Sequence, residues 1–185
     1  LNLPNCRQKS ILIYLLKHDT VYGWFNFPIQ KTDEQKQFSR CKSIGTLSIN
    51  HQAIYIFNEK DPNNLPWDEL AIDTVIESTG VFENYSDAKK HITAGAKKVI
   101  ITAPGKGNEN IDGQTVLLGI NDNEFNNFNV ISNGSCTTNA VAPVIQILNQ
   151  TIGVEKAILN TIHAYTNTQT IVDTSAKGDI LRGRA

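Results

Sequence analysis

The chain has 185 residues, of which 40% are hydrophobic and 19% charged, and a formal net charge of −1. That balance suits one buried core plus part of another, and argues against a disordered chain, a nucleic-acid-binding surface or a membrane-embedded protein. Three cysteines in unrelated contexts fit reduced thiols and a cytoplasmic setting better than a disulfide framework.

The polar stretch Lys31-Thr32-Asp33-Glu34-Gln35-Lys36-Gln37 lies between two apolar runs and predicts a solvated hairpin loop. Residues 71–78 read as a buried strand. Ser86 is placed to cap a helix that ends near Gly95, and Val99-Ile100-Ile101-Thr102 reads as the next strand. This β-α-β alternation predicts a parallel sheet with right-handed crossovers, and ligands of such sheets bind beyond the carboxyl ends of the strands. Thr79-Gly80 and Thr102 fall at those ends, where ordinary turn chemistry is the better account of the residues taken alone. No G-x-G-x-x-G fingerprint occurs in the chain. Lys89-Lys90 and Lys97-Lys98 read as solvated positions and form no basic stripe.

Asn129-Val130-Ile131-Ser132 is β-prone, Asn133-Gly134 signals a turn, and Ala140, Val141, Val144, Ile145 and Leu148 recur at helical spacing. Cys136 therefore falls near a helix N-terminus, where unpaired N–H groups and the positive end of the helix dipole favour a thiolate. Pro143 removes one backbone donor, leaves the Asn139 carbonyl without its helical partner, and predicts a kink. Residues 156–163 read as a strand with Ala157, Leu159, Thr161 and His163 on one face. Taken alone, His163 is a hydrogen-bonded structural histidine. If the fold brings it to Cys136, the two make a nucleophile and its base. Cys6 and Cys41 read as structural.

Ser135-Cys136-Thr137-Thr138-Asn139, followed by His163-Ala164-Tyr165-Thr166-Asn167-Thr168-Gln169, closely resembles the glyceraldehyde-3-phosphate dehydrogenase family. Leu15-Leu16-Lys17-His18-Asp19, Asp61-Pro62, Glu77-Ser78-Thr79-Gly80-Val81-Phe82, Gly95-Ala96-Lys97-Lys98-Val99-Ile100 and Arg182-Gly183-Arg184-Ala185 agree with it in order, so the resemblance covers essentially the whole chain. It implies an α/β fold: a partial Rossmann-type dinucleotide-binding domain over 1–135, then the start of an α+β catalytic domain over 136–185. It further implies that the chain is a central piece of a longer enzyme, without the glycine loop and the rest of the catalytic sheet. Residues 31–41 carry an insertion relative to the family, to which no role is attached.

The resemblance also implies the chemistry. Cys136 would attack the aldehyde carbon of a triose phosphate, with His163 as its base, in a phosphorylating oxidation that passes through a thiohemiacetal and a thioester. Ser135, Thr137, Thr166, Thr168 and Arg182 would hold the phosphate groups of the triose phosphate and of inorganic phosphate. Asn5, Lys60, Thr79, Gly80, Thr102 and Asn167 would contact the cofactor. Asn5 stands where the family's ribose-binding aspartate is expected, and a neutral amide discriminates less against a 2′-phosphate, so NAD is expected with NADP open. Lys60 stands where the family often has arginine, and offers less stacking surface. A homotetramer is implied, and no metal. Erythrose-4-phosphate dehydrogenase shares the cysteine motif but differs after the histidine, and a non-catalytic fragment is the reading from another class.

Overall fold

Val75, Val99 and Ile101 are buried with Val130, and their two-residue spacing on successive strands builds the main sheet. The computed structural model of the protein describes residues 13, 14, 16–19 and 23–166. Two compact units divide between Pro143 and Val144.

Within the first unit, β1 (His18–Asp19) pairs antiparallel with β2 (Gly23–Trp24). A three-stranded antiparallel sheet follows: β3 (Ile29–Thr32), β4 (Gly45–Ile49) and β5 (Gln52–Ile56), in that order. β3 and β4 form the expected hairpin, with Ile29 opposite Ile49 and Thr32 opposite Thr46. Its loop departs from a purely solvated one, because Phe38 and Ser43 are buried. Arg40 reaches across to the Leu65 and Ala94 carbonyls at 3.3 and 2.9 Å, and pairs with Asp68 at 2.7 Å. Polar composition describes the loop's surface and misses the aromatic and guanidinium that fasten it.

The main sheet comprises β6 (Thr74–Glu77), β7 (Lys98–Ile101), β8 (Gln114–Thr115) and β9 (Val130–Ser132), ordered β6-β7-β9-β8 with every pairing parallel. It bears out the β-α-β reading. β6 is shorter than the stretch 71–78 and is buried on one face only, with Ile76 exposed and Val75 and Glu77 buried. Among the described residues β6 bonds to β7 alone and forms an edge of the sheet.

Helix α1 (Tyr85–Thr93) covers the buried face through Tyr85, Ala88 and His91, three residues spaced for one helical stripe. Each fully buried aliphatic side chain beneath it contributes roughly 1.5–3 kcal/mol. The cap is Asn84 and not Ser86: the Asn84 side-chain oxygen accepts from Ser86 N at 3.0 Å and from Ser86 Oγ at 2.8 Å. An N-cap acceptor must precede the N–H it satisfies by two or three residues, which puts Ser86 already inside the helix. Asn84→Ala is expected to cost about 1 kcal/mol, measured as a fall in the urea midpoint; Ser86→Ala should cost less.

Helix α2 (Cys136–Thr151) begins as the spacing predicts and continues through Pro143. In the second unit, residues 156–163 form no strand and are exposed, with Ile158 at 99% and Ile162 at 97%. A strand is a property of a pair, and no described residue pairs with this segment. No helix among the described residues is long and apolar enough to cross a membrane.

Candidate functional site

Parallel register sends the carboxyl ends of β6, β7 and β9, at Glu77, Ile101 and Ser132, to one edge of the sheet. Thr79-Gly80, Thr102 and Cys136 all follow directly from these ends. Thr102 donates to the Glu77 carbonyl through its backbone N–H at 3.0 Å and its hydroxyl at 3.1 Å, which ties the β7 exit to the β6 exit. Thr79 folds back on Glu77: its N–H donates to Oε1 at 2.7 Å and its hydroxyl reaches the same oxygen. Gly80 then turns the chain at φ +70°, a left-handed conformation that costs glycine least.

Beside this turn lies a cavity of about 590 Å³ whose lining includes Phe57, Glu59, Lys60, Thr79, Val81 and Phe82. The structure therefore brings Lys60 and Thr79 to one concave surface, with Gly80 between two of its lining residues. Two aromatic rings suit a flat heteroaromatic ring, and the same wall carries both the Lys60 ammonium and the Glu59 carboxylate.

The turn before α2 is held by side chains. Ser135 Oγ accepts from Thr138 N at 2.9 Å and lies 2.7 Å from Thr138 Oγ1, so Ser135 caps the helix. Asn139 Nδ2 donates to the Asn133 and Ser135 carbonyls at 2.7 and 2.9 Å. Cys136, the first helical residue, is exposed. Behind it, Ser132 Oγ donates to the Ala103 carbonyl at 2.6 Å and accepts from Gly105 N and Gly134 N, both at 3.0 Å. This hydroxyl joins the loop after β7 to the turn that carries Cys136, which sequence reading missed. A buried serine ending an apolar strand was the available signal.

In the second unit His163 and Thr166 are exposed, and His163 Nδ1 lies 2.5 Å from the Ala164 carbonyl. A carbonyl only accepts, so Nδ1 carries a proton. Asn5, Asn167, Thr168 and Arg182 lie outside the described residues, as does Cys6. No cluster of metal-ligating side chains occurs among the described residues.

A Rossmann-type sheet with a cavity and a helix-terminal thiol at its carboxyl edge defines a nucleotide-dependent enzyme scaffold. The family model for the NAD binding domain of glyceraldehyde 3-phosphate dehydrogenase matches residues 2–85, and that for its C-terminal domain matches residues 135–185. The chain belongs to the glyceraldehyde 3-phosphate dehydrogenase family. It is 41% identical over 174 residues to glyceraldehyde-3-phosphate dehydrogenase of Streptomyces coelicolor, covering 93% of this chain and 47% of that protein. The Thermotoga maritima enzyme is 42% identical over 175 residues, covering 94% and 48% respectively. The chloroplastic A form of Zea mays is 41% identical over 173 residues, covering 93% and 39%. The chain thus spans about half the length, or less, of these curated relatives.

Proposed function

We propose that the whole protein carries out the phosphorylating oxidation of glyceraldehyde 3-phosphate, with Cys136 as nucleophile and His163 as its base. The observation that carries this is the exposed Cys136 at the first position of α2, on the carboxyl edge of the parallel sheet. A helix start favours the thiolate, and a thiolate adds to an aldehyde carbon. The S–C bond forms, and the carbonyl oxygen becomes an oxyanion that the Cys136 N–H and the protonated His163 ring stabilise. NAD supplies the hydride acceptor. Loss of hydride from the thiohemiacetal leaves a thioester on Cys136. Phosphate then attacks the thioester carbonyl, the C–S bond breaks, and the thiolate returns as the acyl phosphate leaves.

Residues of the cleft fit a dinucleotide: Lys60, Thr79, Gly80 and Thr102 would hold it, with Asn5 and Asn167 from outside the described residues, and NADP is a second candidate. Ser135, Thr137, Thr166, Thr168 and Arg182 are the proposed phosphate ligands. A homotetramer in the cytoplasm, and a catalytic domain beginning at residue 136, complete the reading. Incubating the whole protein with aldehyde and NAD in the absence of phosphate tests it. A mass increase of one acyl group, located on the peptide bearing Cys136 and discharged by added phosphate, is the expected result; an unmodified Cys136 peptide during turnover refutes the proposal.

A further inference from the structure

Glu77 ends β6 on the face that α1 covers, and it is 4% exposed. A carboxylate so placed costs free energy unless its oxygens are paired. Oε1 takes both donors of Thr79, with the N–H at 2.7 Å, and Oε2 lies 3.0 Å from Nε2 of His91, itself 5% exposed. On the far side of that ring, Trp67 Nε1 lies 3.0 Å from His91 Nδ1. An indole N–H can only donate. His91 Nδ1 must therefore hold a lone pair, and the ring proton sits on Nε2, aimed at Glu77. Each donor points one way, from Trp67 through His91 to Glu77, and Glu77 meets them and Thr79 as an acceptor.

We propose that Trp67 and His91 are positioning residues for dinucleotide binding: their proton order holds Glu77 as the acceptor that fixes the Thr79-Gly80 turn, one wall of the cleft. The inference rests on the dinucleotide reading of that cleft, and adds two residues that do not line it. Trp67 and His91 face a neighbouring cavity of about 640 Å³, which shares Phe57, Glu59 and Thr79 with the cleft. They reach the cleft through Glu77, and they also touch two of its lining rings, Trp67 meeting Phe57 and His91 meeting Phe82 edge to face; the Thr79 amide reads the Glu77 route.

The first test needs no substitution and no cofactor. Ring nitrogen-15 spectra of the protein at neutral pH should show His91 as the neutral Nε2–H tautomer; an Nδ1–H or doubly protonated ring overturns the proposal. Glu77→Gln keeps the side chain's size but turns an N–H₂ toward either His91 Nε2–H or the Thr79 donors. The Thr79 amide proton is then expected to lose the downfield position of a charge-assisted bond, and NAD affinity to fall about tenfold. His91→Gln, which can still donate to Glu77, should keep the Thr79 amide in place and most of the affinity, whereas His91→Phe should lose both. A Thr79 amide unmoved by Glu77→Gln overturns the proposal even where His91→Phe fails to fold. Should the unsubstituted protein bind no NAD, the dinucleotide reading of the cleft fails, while the ring and amide spectra still decide the proton order.

Discussion

Replacing Cys136 by Ser is expected to lower dehydrogenase turnover of the whole protein by about 10⁴-fold or more, with little change in its thermal midpoint. The chemical part follows from the nucleophile: a serine hydroxyl ionises far less readily than a thiol, and a thioester cannot form on oxygen. The small effect on folding follows from the site, since Cys136 is exposed at the first position of α2. His163→Asn is expected to lose roughly 10²–10⁴-fold, the range of one general base. Steady-state rates on the variants check both figures, and turnover retained by Cys136→Ser removes the cysteine from the mechanism.

The largest loss of stability is expected at Tyr85, which is fully buried in the core with Val99 and Val130. Tyr85→Ala should cost about 3–5 kcal/mol, as truncating a buried aromatic leaves a cavity that the core only partly refills. A Cβ added at Gly105 or at Gly113 would overlap the Tyr85 ring, and at Gly113 it would also stand 2.7 Å from the Val130 carbonyl. Gly113→Ala is therefore also destabilising, by about 1–3 kcal/mol. In Tyr85→Ala the second change should cost less, because the two sites share the same space. Urea denaturation of the four proteins in that cycle measures the coupling, and strict additivity would contradict the packing.

The Tyr85 hydroxyl donates to Glu109 Oε1 at 3.0 Å. Burial pushes the phenol above its ordinary value of 10.0, and the Glu109 carboxylate pushes the same way. The unfolded chain then releases its phenolic proton first, so stability present below pH 10.0 is lost as pH rises through the folded value. Tyr85→Phe lacks this loss. The gap in midpoint between the two proteins should narrow above pH 10.0, and a constant gap would sink the argument.

Local signals carried the β-α-β order, the start of α2 and the placement of Thr79, Thr102 and Cys136 at strand exits, because periodicity and turn chemistry act between near neighbours. Features that depend on distant partners were not legible. Trp67, Glu77 and His91 meet only once α1 lies on the sheet, and nothing in their spacing marks them as a set. Arg40 reaches carbonyls at Leu65 and Ala94 that sequence cannot place beside it. The segment 156–163 has a strand's alternation without a described partner, and alternation alone supplies no ladder. Asn84 and Ser86 are both good cap residues, and only the geometry of the first turn separates them.

The Ser132 hydroxyl holds the Ala103 carbonyl, Gly105 N and Gly134 N on one oxygen. Small displacements of the loop after β7 are thereby shared by the turn that carries Cys136. Motion of either loop would then carry the other, and their separation would vary less than either position. Under the proposed mechanism, a thiol that must meet a carbon to within a fraction of a bond length would gain its precision from that coupling.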